Sequence, residues 1–465
     1  MSATIASGRT RRMLKLGALS GQVGSTYLWQ TLLKPFRSAD SHERELLDAH
    51  VRNAVRIVES SEELRGAFTK LVQMLSMRDD LLPAEALDVL ASAHASAPPM
   101  PYRVIREQIR RDLGKPPERI FASFEREAFA AASLGQVHRA ELRSGVPVVV
   151  KIQYPGIEDT IAQDLENLRA LLQVLTRIGR DVMRQRIDTA SVYRELEERL
   201  HEELDYRREA ENLALFRRLF AGDDEIEVPE VFPELCTRRV LTMGFLDGYP
   251  LADVLAPGVD QELKDWVAIK YFRTVCRQLL HFGVLHVDPQ PGNYLVTHHP
   301  RLGILDFGSI RMFPEPLRRS YRRLARALLG GDRREMAAAC RALDYLGEND
   351  PPEAMIEILE TLLEPLLEDR DYDFRRYRSL DKALQVASVA VEKGLYRTPA
   401  HRVFLVRALI GVETYAKQLG TAANWRRIFA EEVEAATEKR PARSSARTLK
   451  ASRTAPLATR LRRTP

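Results

Sequence analysis

The sequence predicts an α+β chain. A helical N-terminal extension leads into a small β-rich lobe broken by a helical insertion, and a larger, mainly helical lobe follows. Three patterns carry this reading. Between His42 and Leu113 apolar residues recur at helical spacing, as in Val51, Val55, Val58 and then Leu64, Phe68, Leu71, Leu75. Between Phe121 and Lys151 the period changes, and Ser133 to Ala140 and Val146 to Ile152 read as two strands joined by the turn Arg143-Ser144-Gly145. From Gly248 to about Ala436 helical spacing returns.

Taken in order, residues 1–40 form a basic arm with a short apolar helix, Met13 to Leu19, and residues 41–120 the helical extension. Pro98-Pro99 and Pro101 break the first helical run. The small lobe spans 121–243. Its insertion, Asp159 to Phe216, is dense in Glu and Arg at three- and four-residue offsets, the mark of a solvated face laced with ion pairs. Val228 to Phe232 and Arg239 to Met243 read as two more strands. The helical lobe covers 244–436. The Ser-, Thr-, Arg- and Ala-rich tail, 437–465, has too few large apolar residues to pack and is expected to be disordered.

At 465 residues the chain exceeds one compact core, and 45% apolar with 29% charged residues is ordinary for a soluble globular protein. Cys236, Cys276 and Cys340 are far apart and form no metal-ligand or disulfide pattern, so they read as thiols in a reducing compartment. The net charge of +5 hides an asymmetry: Lys439 to Pro465 holds nine Lys or Arg, Met1 to Ala39 holds six, and neither end holds an acid. The segment between them is therefore net acidic. Basic ends of this kind suit peripheral contact with an anionic membrane, or simply solubility. No run of apolar residues is long enough to cross a bilayer, and no secretory apolar core is present, which points to a cytoplasmic protein, at most peripheral at the inner face of a membrane.

The chemistry is concentrated in His286-Val287-Asp288-Pro289-Gln290-Pro291-Gly292-Asn293 and, thirteen residues beyond Asn293, Asp306-Phe307-Gly308. Phosphoryl transfer needs a carboxylate to orient the attacking group, and an amide oxygen with a second carboxylate to hold magnesium on the nucleotide phosphates. Asp288, Asn293 and Asp306 are those groups, in the order and spacing that protein kinases use. A kinase also needs a strand lysine on the phosphates. Lys151 closes the β-branched run Val148-Val149-Val150 and meets that need. The loop before that strand, Ala130-Ala131-Ala132-Ser133-Leu134-Gly135, has alanines where such loops normally have glycines.

These residues together resemble the UbiB (AarF-type) family of atypical kinases over roughly residues 64–312. The alanine-rich loop of that family is matched by Ala130 to Ser133 and Leu134-Gly135-Gln136-Val137-His138, and its Q-x-P-G by Gln153-Tyr154-Pro155-Gly156. Its E-x-D motif is matched by Glu203-Leu204-Asp205, followed by the helix glutamate Glu209, 58 residues after Lys151. Its K-x-G-Q helix looks like Lys70-Leu71-Val72-Gln73, with Val72 in place of glycine. Two further departures are Gln290 for the family's second histidine and Gly244 for a common glutamate in the segment linking the lobes.

The resemblance implies a bilobal protein-kinase-like fold and an ATP- and Mg2+-dependent atypical kinase or ATPase in isoprenoid-quinone metabolism that does not phosphorylate proteins in trans. Lys151 and Glu209 would pair, Asp288 would position the attacking oxygen, and His286 would brace the catalytic loop. Asn293 and Asp306 would bind metal. Ala130, Ala131, Ala132, Ser133, Gly135, Met243 and Phe245 would line the nucleotide, and Lys70 and Gln73 would meet Glu203 and Asp205 in a regulatory latch. A lipid or quinone precursor is the implied partner, and no nucleic acid is expected. The alternatives are a small-molecule phosphotransferase of the aminoglycoside or choline kinase type, and a nucleotide-gated lipid-binding scaffold with little turnover.

Overall fold

The computed structural model describes residues 99–132, 134–162, 165–166, 169, 189–288, 290–376 and 399–437. The basic arm, most of the helical extension, the C-terminal tail, Lys70, Gln73 and Ser133 lie outside them. The chain divides into two compact units, one comprising residues up to Arg208 together with Phe232–Gly244, the other Glu209–Val231 and everything from Phe245 onward.

The first unit is built on an antiparallel sheet in the order β1 (Ser123–Phe124), β3 (Gly135–Glu141), β4 (Pro147–Gln153), β6 (Val240–Gly244), with β2 (Ala130–Ala132) also paired to β3. The turn between β3 and β4 lies where Arg143-Ser144-Gly145 predicts it. Gly145, at φ +84°, donates to the Leu142 carbonyl at 2.9 Å, a backbone shape that favours glycine. Helix α1 (Tyr102–Leu113) starts after Pro101 and ends at Gly114 in the left-handed region. Its Ile105 and Ile109 are fully buried against Val148, Val150 and Ile152 of β4. Burial of each such side chain contributes about 1.5–3 kcal/mol. Strand residues alternate faces, so Val149, Lys151 and Gln153 point the other way. A four-residue helix, α2 (Pro117–Ile120), and, within the insertion, α3 (Thr189–Glu203) also belong to this unit.

Two local expectations are corrected. The alanine-rich segment is not a loop but one arm of a hairpin, with Ala130 opposite Val137 and Ala132 opposite Gly135. Alanine is a poor strand former, and the ladder offered by β3 overrides that preference. Val228 to Phe232 is not a strand either: the strand is β5 (Ile226–Glu227), and Pro229, which has no N–H to give, stops it.

Helix α4 (Tyr206–Leu219) straddles the division, Glu209 being the first residue assigned to the second unit. That unit holds a four-stranded sheet in the order β5, β10 (Leu302–Ile304), β9 (Tyr294–Thr297), β7 (Gly248–Pro250). A two-stranded ribbon pairs β8 (Val284–His286) with β11 (Ile310–Met312). After the short α5 (Leu251–Leu255) comes α6 (Gln261–Arg277), capped by the Asp260 side chain and extended by a π turn, Gln278–Phe282, that ends at Gly283. Helices α7 (Glu315–Gly330), α8 (Arg333–Ala342), α9 (Glu353–Leu362), α10 (Ala400–Leu419) and α11 (Trp425–Thr437) follow, with a small pair β12 (Tyr372–Asp373) and β13 (Ala422–Ala423).

Helix α11 is held from two sides. The fully buried Trp425 meets Phe272 edge to face at 5.4 Å and donates to the Tyr372 carbonyl at 3.0 Å. At its other end Glu432, 2% exposed, accepts from Arg277 at 3.1 Å and from Arg273 at 2.8 Å. Arg277 also bonds Asp223, and Lys270 bonds Glu225, so the loop after α4 joins the same network.

Candidate active site

The topology of the second unit brings two loops together. Because β8 pairs with β11 and β9 with β10, the loop joining β8 to β9 (287–293) and the loop joining β10 to β11 (305–309) lie side by side. The Leu305 N–H donates to the Asn293 carbonyl at 2.9 Å, and the Val287 N–H to the Ser309 carbonyl at 3.1 Å. The first loop carries Asp288 and Asn293, the second Asp306.

Within the first loop Pro291–Asn293 form a 3-10 turn, closed by the Asn293 N–H on the Gln290 carbonyl at 3.0 Å. The Asn293 amide nitrogen donates to the Asp288 carboxylate at 3.1 Å and to its carbonyl at 3.2 Å. Asn293 Oδ1 is thereby left to face other groups as an acceptor. In the second loop Asp306 Oδ1 accepts from the Gly308 N–H at 2.9 Å. A Cβ on Gly308 would come within 3.2 Å of that oxygen, so the glycine is suited to the tight return.

His286 braces both loops. Its Nε2 lies 2.7 Å from the Asp306 carbonyl, and its backbone N–H donates to Gln278 Oε1 at 2.7 Å. The Tyr294 hydroxyl is 3.3 Å from its Nδ1. Phe307 is fully buried, with Phe216 of α4 4.8 Å away and His286 6.0 Å away, and its carbonyl accepts from Asn212 at 2.9 Å. Below Asp288, Tyr271, Tyr294 and Tyr415 pack edge to face. Burial, reinforced by the Asp288 charge, raises all three above the ordinary phenol range; neighbouring phenols add to the rise at Tyr294 and Tyr415, while Tyr294 opposes it at Tyr271.

In the first unit Lys151 is 9% exposed, and its ammonium lies 4.9 Å above the Tyr206 ring. Neighbouring Gln153 donates to the Glu203 carbonyl at 3.3 Å. Asp205 accepts from the Arg207 N–H at 3.1 Å, which caps α4. Met243 is buried within β6, and Phe245, beyond the division, is half-buried. Ala130 and Ala131 are exposed. Gly135 has a packing reason to be glycine, since a Cβ there would meet the Ile152 carbonyl at 2.1 Å. Glu209 is 4% exposed, three residues beyond Tyr206 on α4.

Within the second unit the structure thus brings Asp288, Asn293, Asp306 and His286 together, and within the first it sets Lys151 beside Tyr206. Gln278, Tyr294, Tyr271, Asn212 and Phe216 escaped the sequence reading. Only two of these had a signal: Glu209, Asn212 and Phe216 fall at helical spacing, so a functional Glu209 implicates the other two.

Residues 92–340 match the family described as the ABC1 atypical kinase-like domain. The chain belongs to that family. It is 29% identical over 437 residues to the atypical kinase COQ8, mitochondrial, of Saccharomyces cerevisiae, an alignment spanning 92% of this chain and 86% of that one. With the atypical kinase COQ8B, mitochondrial, of Rattus norvegicus it is 31% identical, over 88% and 77% of the two chains. The solved Mycobacterium tuberculosis structure of Rv3197 with erythromycin superimposes with a TM-score of 0.59 at 25% identity, covering 84% of this chain and 97% of that one. The α+β kinase-like fold and the atypical-kinase class of enzyme that the motifs implied both hold. No helix among the described residues is long and apolar enough to cross a membrane.

Proposed function

We propose that this ABC1-family enzyme binds ATP with Mg2+ and either hydrolyses it or transfers its phosphoryl group to a small lipid-like acceptor in isoprenoid-quinone metabolism. The observation that carries the reading is the pair of adjacent loops that presents Asp288, Asn293 and Asp306, braced through His286. In this scheme Lys151 contacts the phosphates and Glu209 orients it. The sequence segment Ala130, Ala131, Ala132, Ser133 and Gly135 covers the phosphates, and the backbone at Met243 and Phe245 meets the base. Asp288 positions the attacking oxygen, while Lys70 and Gln73 latch onto Glu203 and Asp205.

The donors fit magnesium. Asp306 offers a carboxylate and Asn293 an amide oxygen, hard ligands of the kind this ion takes in small number beside water and phosphate. Among the described residues no group of three or more His, Cys, Asp or Glu side chains is placed to hold a metal. When bound, the ion would neutralise charge on the phosphates. The chain's own residues do the rest: Asn293 holds the Asp288 carboxylate in place, and Gly308 fixes the Asp306 carboxylate in one rotamer.

Asp306→Asn is the direct test. Mg2+-dependent ATP binding by purified protein is expected to fall at least ~10-fold, within the range for loss of a metal ligand or its support. Wild-type behaviour of this variant overturns the site. Quinone profiling of a deletion strain tests the acceptor class, and normal quinone pools would remove that part alone.

A further inference from the structure

One residue connects both halves of the metal site, and its role rests on the reading above that Asp306 is a ligand. We propose that Tyr294, packed against Tyr271, is a positioning residue for the metal-binding loop: the Asp306 carbonyl selects the Nε2–H tautomer of His286, and the Tyr294 hydroxyl, donating to Nδ1, holds the ring so that this N–H stays aimed at the carbonyl.

The tautomer follows from the partners. A carbonyl oxygen only accepts, so the nitrogen 2.7 Å from the Asp306 carbonyl carries the proton. The opposite tautomer would set two lone pairs face to face at that distance. In the neutral ring Nδ1 is then an acceptor, and the group facing it at 3.3 Å is the Tyr294 hydroxyl, which donates. The Tyr294 ring in turn packs edge to face on Tyr271, centroids 5.2 Å apart.

All three side chains are nearly inaccessible, His286 at 4% and Tyr294 and Tyr271 at 3% each. Burying a hydroxyl without a partner costs about 1–3 kcal/mol, and phenylalanine would fill the same space without that cost. The hydroxyl is therefore explained by its hydrogen bond rather than by packing. Burial and the nearby Asp288 charge also keep it protonated, as a donor must be.

Position gives the contact its consequence. Tyr294 follows Asn293 directly and opens β9, where it lies opposite Ile304, two residues before Asp306. Through His286 its hydroxyl reaches the Asp306 peptide, while the Asn293 carbonyl takes the Leu305 N–H at 2.9 Å. The two ligand-bearing loops are thus held together by two backbone hydrogen bonds and by this relay. The Asp306 peptide orientation sets where its carboxylate points.

The test uses the full chain in two measurements. In metal-free protein labelled with 15N-histidine, long-range 1H–15N spectra report the His286 tautomer, expected to be Nε2–H in wild type and a mixture in Tyr294→Phe. In the second, a fluorescent ATP analogue is titrated at varied Mg2+. Tyr294→Phe is expected to raise the half-saturating Mg2+ about 3- to 10-fold, below the usual cost of losing a residue that bonds a ligand directly. Affinity measured without Mg2+ should stay within about twofold on the same argument. Tyr271→Phe should shift both readouts in the same direction by less, and it stands in if Tyr294→Phe does not fold. An unchanged tautomer with unchanged Mg2+ dependence overturns the proposal. So does an equal loss of metal-free affinity and melting temperature, which would mark a purely structural role. Wild-type protein without Mg2+-dependent nucleotide binding would defeat the reading of the site, while the His286 spectrum would still decide the relay.

Discussion

The alanine-rich hairpin of the first unit and the paired loops of the second are held in different ways. The hairpin is positioned by its backbone: β2 hangs on β3 by ladder hydrogen bonds, and its alanines reach into solvent. The loops around Asp288 and Asp306 are positioned by buried side chains, with His286, Phe307, Phe216, Tyr294 and Gln278 each filling a fixed place. Backbone registration tolerates many side chains and gives modest precision. Interlocking buried side chains tolerate few and give more. The hairpin is suited to adjusting its shape and the loops to holding their carboxylates still.

Breaking the interlocked side should have the larger effect. Phe307→Ala removes a fully buried ring from between Phe216 and His286, and the second unit should lose about 3–5 kcal/mol in urea unfolding. A loss below 1 kcal/mol would mean that the loops are not side-chain-locked. On the hairpin side the weak point is Gly135, where a Cβ would press on the Ile152 carbonyl. Gly135→Ala should cost about 1–3 kcal/mol and speed amide exchange along β3 and β4, leaving exchange in β8 to β11 unchanged.

The smallest change is a pH effect beneath the hairpin. His138 is buried, with Nδ1 2.8 Å from the Glu125 carbonyl and Nε2 2.9 Å from Gln136 Nε2, while Gln136 Oε1 accepts from the Met100 N–H at 2.7 Å. Burial holds its pKa below the ordinary histidine value. A depressed folded pKa favours the neutral form, so its contribution to stability is present above about pH 6.5 and is lost as pH falls through the folded value. Unfolding of wild type between pH 7 and 5 should show this loss in the first unit. His138→Gln should flatten it.

What could be read from sequence followed the locality of the chemistry. Asp288, Asn293 and Asp306 sit in two short motifs, so residue order alone marked the two loops that the fold sets side by side. Lys151 was legible because a lysine ending a β-branched run needs a reason. The supporting residues were not, because Tyr271, Tyr294 and Tyr415 come from three elements and meet only after folding. The alanine segment misled because strand formation there depends on β3 rather than on alanine. Val228 to Phe232 misled because its β-branched composition outweighed Pro229.

The buried charges on α11 bear on biosynthesis. Arg273 and Arg277 emerge from the ribosome more than 150 residues before Glu432, the buried carboxylate they share, and of the two Arg277 alone also bonds an earlier carboxylate, Asp223. Until that helix is synthesised, the Arg273 guanidinium lacks its carboxylates Glu431 and Glu432, and burying it carries a large penalty. Completion of the second unit therefore waits for α11 to be translated, and a ribosome stalled before Glu432 would display an unfinished lobe to chaperones.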